Sequence, residues 1–235
     1  MKSTIKEIQE RFDADVERFS NLDTGQQSTI DSVLNMELVT ESIARTYPKK
    51  IRLLDIGCGA GNYTVKLLTK KRDVETHLLD LSEPMLNRAV KRVEEQGATE
   101  VKVYKGDFRT VKLKENSYDV IIATSVLHHL RDDSDWVNNF SKIYRLLNSG
   151  GSLWVFDLIK QNNEELQALI YSELYGRYLI NLNGEHYRDK VFEYVEKEDS
   201  PRSLVEQLDL ARKVGFKSVD VLHKNLSFAS FVAYK

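Results

Sequence analysis

Residues 51–64 read IRLLDIGCGAGNYT, a short apolar run that meets an acid and then three alternate glycines. Ile51, Leu53, Leu54 and Ile56 have the composition of a strand buried on both faces of a parallel sheet. Gly57, Gly59 and Gly61 let the chain turn sharply and pass close to a ligand where a side chain would collide. Residues 62–68 then predict a helix whose free N–H groups and positive end point back at that ligand.

The spacing separates two ligand classes. A dinucleotide fingerprint, Gly-x-Gly-x-x-Gly, would place its third glycine at position 62, which is Asn62. The chain reads Asp-x-Gly-x-Gly-x-Gly instead. Residues 74–79 predict the next strand, which ends at Asp80; a carboxylate there can accept from both hydroxyls of an adenosine ribose. Ser82 and Pro84 open a helix with Met85, Leu86, Ala89, Val90 and Val93 on its apolar face, and Gly97 closes it. Residues 101–104 predict a third strand, followed by Gly106-Asp107-Phe108, and residues 118–130 (YDVIIATSVLHHL) a fourth strand and the stretch after it, where His128-His129 starts a helix. Leu146-Leu147-Asn148-Ser149-Gly150-Gly151 predicts a sharp turn before a fifth.

Taken in this order, the landmarks resemble the class I S-adenosylmethionine (SAM) dependent methyltransferases. The resemblance implies that Asp55, Gly57, Gly59 and Gly61 face the methionine part of SAM and that Asp80 holds the ribose. It also implies that Asp107 and Phe108 meet the adenine, and that Leu81, Met85 and Thr124 complete the cofactor wall. The C-terminus is consistent with this fold. Residues 217–222 and 226–234 are strand-like runs joined by His223-Lys224-Asn225, too short a link for a helical crossover, so they must be antiparallel. The expected fold is therefore α/β: a Rossmann-like, mostly parallel seven-stranded sheet with one antiparallel strand near the C-terminus and helices on both faces.

With 235 residues the chain suits one such domain with additions. Its 34 Lys and Arg against 36 Asp and Glu leave a net charge of −2, which supplies no generic attraction to nucleic acid or anionic membrane. A single cysteine, Cys58, excludes an intrachain disulfide and reads as a small filler of the glycine turn; with no signal-like or spanning apolar run, a cytoplasmic setting is expected.

The expected organisation is an N-terminal helical lid (1–45), a SAM-binding core (46–158 and 200–235) and an inserted substrate-lid segment (159–199). Ile5, Ile8, Phe12, Val16 and Phe19 give residues 3–20 one apolar helical face, and a helix starting at Ser200-Pro201 follows the insert. Within the insert, Tyr171, Tyr175 and Tyr178 share a helical face with Leu174; they read either as core or, with His186 and Arg188, as a substrate pocket.

The sulfonium of SAM already activates its methyl group, so the protein needs to hold an acceptor in line and, for some acceptors, to remove a proton. His128, His129 and Asp157 are the candidates for contacting the acceptor or taking that proton. No metal is expected, since the five histidines form no ligand pattern in sequence with acids or Cys58.

Phe12-Asp13 with Val16 and the terminal stretch KNLSFASFVAYK are similar to the carboxy-SAM synthase branch, also described as tRNA wobble-uridine methyltransferases. That resemblance implies carboxy-SAM as an alternative cofactor or product, with an inserted arginine pairing the extra carboxylate; Arg188 is the nearest arginine. Three readings follow: a small-molecule methyltransferase acting as monomer or homodimer, a carboxy-SAM or tRNA-modification enzyme, and a SAM-binding module without catalysis.

Overall fold

The computed structural model describes residues 2–21, 26–98 and 100–235. Seven strands form one sheet in the order β3-β2-β1-β4-β5-β7-β6. The strands are β1 (Ile51–Ile56), β2 (Val74–Asp80), β3 (Val101–Lys105), β4 (Tyr118–Thr124), β5 (Leu147–Leu158), β6 (Ser218–Asn225) and β7 (Phe228–Tyr234). Pairs within β1 to β5 are parallel, and β7 runs antiparallel to both β5 and β6, so β7 is the one reversed strand. The seven-stranded, mostly parallel sheet expected from the sequence is the sheet that forms.

Alternation along each central strand sends successive side chains to two cores. On one face Leu53, Leu78, Val120, Ile122, Trp154 and Phe156 pack under α3 (Ser32–Thr46), α4 (Asn62–Lys70) and α5 (Glu83–Glu95). On the other, Leu54, Ile56, Ile121, Leu153 and Val155 pack under α6 (Asp133–Leu146) and α10 (Leu204–Val214). Parallel pairing also carries the ends of β1, β2, β4 and β5 to one edge, the edge at which open α/β sheets bind ligands.

Five local expectations change. The single helix over 3–20 is two, α1 (Ile5–Ala14) and α2 (Val16–Ser20), because Asp15 leaves the helical region and its N–H turns back to Phe12. Helix α10 is started by Ser203 rather than Ser200-Pro201: the Ser203 hydroxyl accepts from the Glu206 N–H while the Glu206 carboxylate accepts from the Ser203 N–H, a reciprocal cap. His223, Lys224 and Asn225 belong to β6, leaving a two-residue link with Leu226 at φ 46°. The Gly150-Gly151 turn lies within β5, where the register against β4 shifts between Tyr118 and Val120. Finally, α3 does not belong with a lid: Met36, Val39 and Ile43 are buried in the sheet's core, which leaves only α1 and α2 above it.

From Glu164 onward the insert is helical, broken at Gly184: α7 (Glu164–Gln167), a π-helical stretch (Ala168–Tyr175), α8 (Gly176–Asn183) and α9 (Glu185–Glu198). Three contacts latch α1 and α2 over the sheet edge. The Ser82 hydroxyl donates to Asp13 Oδ1 (2.5 Å), Arg88 Nε to Ser20 Oγ (3.2 Å) and Asn62 Nδ2 to the Phe19 carbonyl (2.8 Å). Among the described residues no helix is long and apolar enough to cross a membrane.

Candidate active site

The glycine turn follows β1 with Gly57, Gly59 and Gly61 all at positive φ. Each glycine has a different physical reason. A Cβ on Gly57 would fall 2.6 Å from Val126 Cγ2, and one on Gly61 3.1 Å from Ala89 Cβ, so these two permit close packing. A Cβ on Gly59 would meet nothing within 4 Å, because it would project into a cavity of about 160 Å³.

That cavity is walled by the glycine turn, by the ends of β1, β2 and β4, and by Phe12 and Phe19 from above. Asp55, Gly57, Gly59, Asp80, Leu81, Met85, Asp107, Phe108 and Thr124 line it. Of the expected cofactor residues only Gly61 lies outside the lining, as the N-cap of α4 packed against α5. The same wall includes Asn62 and Tyr63 at the start of α4, where unpaired N–H groups favour negative charge.

Three acids face this space. Asp80 accepts from the Gly59 N–H (2.8 Å) and the Ser82 N–H (2.9 Å), which fixes its plane; burial pushes its carboxyl above the ordinary range. Asp55 accepts from the Thr64 hydroxyl (2.7 Å), and burial raises it to about 7. Asp107 is gripped by its neighbour Arg109, with Nε at 2.9 Å and Nη2 at 2.6 Å from Oδ2, and Arg109 also reaches Asp135.

A second cavity, about 360 Å³, opens beside the first. Phe12, Phe19, Gln26, Ser125 and His129 line both, so these five form the partition. Ser125 sits at φ 53°, an uncommon conformation for a non-glycine residue, with its N–H bonded to the Phe156 carbonyl (2.8 Å). The far walls of the second cavity come from the insert, including Tyr175, Tyr187, Lys190 and Tyr194, and from Arg11 and Arg18 of the N-terminal helices.

The three residues expected to contact an acceptor do not act alike. His128 and His129 lie in a 3₁₀ turn (Leu127–His129) after β4, not at a helix start. Asp157 accepts from His128 N–H at 3.1 Å, from Leu158 N–H at 2.8 Å and from His128 Nδ1; it lines neither cavity. Burial works against a charge on His128, but Asp157 and Asp199 prevail and raise it to about 9. With Nδ1 engaged by Asp157, His128 is a ring held in place by its carboxylate neighbour, and only its Nε2 side faces the second cavity. Burial and the charge of His128 hold His129 below the usual imidazole range, leaving it neutral on the partition.

The expected substrate residues are also divided. Tyr175 lines the second cavity and donates to the Ser28 carbonyl (2.8 Å). Tyr178 donates to the Gln27 carbonyl (2.8 Å), and Tyr171 stacks on Phe192 with centroids 4.6 Å apart; neither lines a cavity. Arg188 pairs with Asp189 (2.7 Å) and His186 is exposed, so neither reaches the pocket assigned to it. Asp199, absent from the expected set, is buried and faces both histidines: its Oδ1 lies 3.1 Å from His129 Nδ1 and 3.7 Å from His128 Nε2. Its only sequence signal was an acid at the C-cap of α9, ahead of Ser200-Pro201.

A methyltransferase domain family matches residues 53–151. The chain is 32% identical to the carboxy-S-adenosyl-L-methionine synthase of Helicobacter pylori strain J99 over 194 residues, 81% of this chain and 76% of that one. It is 29% identical over 180 residues to the ubiquinone/menaquinone biosynthesis C-methyltransferase UbiE of Ruegeria sp. strain TM1040, covering 75% of this chain and 69% of that one. In three dimensions it is similar to phosphoethanolamine N-methyltransferase 2 of Haemonchus contortus in complex with S-adenosyl-L-methionine, with TM-score 0.64 and 20% identity. That likeness covers 93% of this chain and shows the fold; the chain spans 46% of that structure's length. With 32% identity to the Helicobacter relative across 81% of this chain and 76% of that one, the chain belongs to the class I SAM-dependent methyltransferases.

Proposed function

We propose that SAM lies in the first cavity and that its methyl group passes to a small-molecule acceptor held in the second. The observation that carries this reading is the shared partition of Phe12, Phe19, Gln26, Ser125 and His129, which puts two chambers on either side of one narrow border. In-line displacement requires adjoining sites that open to each other along this border: the acceptor's lone pair attacks the methyl carbon while the carbon–sulfur bond breaks and its electrons return to sulfur. S-adenosylhomocysteine is the leaving product. Where the acceptor carries a proton, the neutral imidazole of His129 is placed to receive it.

The second chamber suits an acceptor with an apolar body and an acidic group. Its rings are Phe12, Tyr175, Tyr187 and Tyr194, and its cations are Arg11, Arg18 and Lys190. Arg11 is committed to Glu198 (2.7 Å) and Arg18 to Asp15 (2.8 Å). Lys190 has no ion pair among the described residues. Helices α1 and α2 act as the lid over SAM in this reading, and residues 159–199 as the acceptor-choosing segment. A panel of carboxylate- and phosphate-bearing small molecules, scored by release of S-adenosylhomocysteine, tests it. Lys190→Ala should raise KM for the acceptor about tenfold with SAM affinity unchanged; a loss of SAM affinity in the folded variant would place this wall on the cofactor.

A second reading, formation of carboxy-SAM, is favoured by the identity to the Helicobacter synthase. Here Lys190 rather than Arg188 is the cation at the cavity wall, so a carboxylate on the transferred carbon would find an ammonium instead of a guanidinium fork. The mass of the nucleoside that copurifies with the protein separates the two: carboxy-SAM supports this second reading, and SAM or S-adenosylhomocysteine the first.

A further inference from the structure

We infer that His128, His129 and Asp199 form a binding site for one divalent transition-metal ion on the wall of the acceptor cavity. The inference concerns ion binding and stands whichever acceptor the enzyme uses; with an ion on Nδ1, His129 keeps its proton on Nε2, so the proton-accepting role proposed above belongs to the ion-free protein.

The donor atoms converge from two distant parts of the chain. His128 and His129 follow β4, and Asp199 follows α9, seventy positions later in sequence. His129 Nδ1 and Asp199 Oδ1 are 3.1 Å apart, His128 Nε2 and Asp199 Oδ1 3.7 Å, and all three donors lie within 4.8 Å of one another. Nitrogen and oxygen donors at about 2.0–2.2 Å from one ion are roughly 3.0–3.6 Å from each other, so the 3.1 Å separation has the length of a coordination edge and the 3.7 Å one needs a small inward turn of the His128 ring to reach it.

The polar accounting supports the same conclusion. Asp199 is 4% exposed, yet neither its Oδ1 nor His129 Nδ1 makes a hydrogen bond: the two atoms are close without being aligned. Buried polar atoms are seldom left in this state, and two at one point call for a shared partner. His128 is oriented for the role, because Asp157 engages its Nδ1 and thereby directs Nε2 to the site; carboxylates behind ligating imidazoles do this in metal centres generally. Ligation takes the place of a proton on Nε2. Two imidazoles and one carboxylate suit zinc, cobalt, iron or manganese better than magnesium or calcium. All three residues line the second cavity, so the remaining coordination positions open onto the acceptor.

Cobalt(II) is the probe. Titrated into chelator-treated, untagged protein, it should bind one ion per chain and give the intense visible bands of a four- or five-coordinate, nitrogen-ligated centre. Asp199→Asn and His129→Gln should each weaken uptake at least tenfold, and Asp157→Asn about 10–100-fold through His128. His186→Gln, which removes an exposed histidine, should leave uptake unchanged. A pale octahedral spectrum from the wild type, or uptake that Asp199→Asn retains, would overturn the inference; the wild-type spectrum decides even where a variant does not fold.

Discussion

Single residues explain much of what this chain does. Asp80 is placed by two backbone N–H groups, one of them from the turn that walls the cavity, so its carboxylate is fixed at the cavity where the proposal puts the ribose. Asp80→Ala should weaken SAM binding by about 1–3 kcal/mol, read by titration calorimetry; unchanged affinity in a folded variant would remove Asp80 from the site. Asp55 makes a different prediction. Its folded pKa is raised to about 7 by burial, against about 3.9 for an unfolded aspartate. A raised folded value gives stability that is full below the unfolded pKa and lost as pH climbs to the folded one. Urea denaturation should therefore show a fall on the order of 1–4 kcal/mol between pH 4 and pH 7 that Asp55→Asn flattens, with the Thr64 hydroxyl still donating to the amide oxygen. Equal pH profiles for the two proteins would mean that Asp55 is ionised throughout that range.

At the scale of elements, the glycine turn and the N-terminal helices both wall the first cavity, and the proposal gives each a distinct part in holding SAM there. Gly59→Val should abolish SAM binding with little effect on the sheet, because the new side chain enters open cavity rather than packed core. Gly61→Ala should instead lower the melting temperature, since its Cβ presses on Ala89 where α4 meets α5. The latch is testable as well: Asp13→Ala removes the acceptor for Ser82 Oγ and should speed SAM dissociation several-fold with less effect on association. Stopped-flow displacement measures both rates, and equal dissociation rates would mean that α1 and α2 only cover the sheet. The sequence announces the turn and strands β1 to β4 because their determinants are local: a buried apolar run, an acid at its end and glycines at fixed spacing. It does not announce the break at Asp15, the bulge in β5 or the start of α10 at Ser203. In each of those places more than one local solution was available, and a hydrogen bond or a strand partner selected among them.

Across the whole molecule, the first cavity is legible in the sequence and the second only in part, through Tyr175, His128 and His129, for one physical reason. The first is built from consecutive strand ends that parallel pairing must bring to one edge, so a motif in sequence is a motif in space. The second joins Arg11 and Phe12 to Ser125, His129, Lys190 and Asp199, residues separated by up to 188 positions and brought together only by helix packing. Sequence spacing alone therefore points to Arg188 and His186, which face away from the second cavity, and not to Lys190 and Asp199, which line it. The reciprocal placement of the two chambers is the centre of the account. A crystal structure of the complex with S-adenosylhomocysteine tests it most directly: adenine should lie against Phe108 and Asp107, ribose on Asp80, and the thioether sulfur should face the partition formed by Phe12, Phe19, Ser125 and His129. A sulfur turned away from the second cavity, or a nucleoside bound outside the glycine turn, would contradict it.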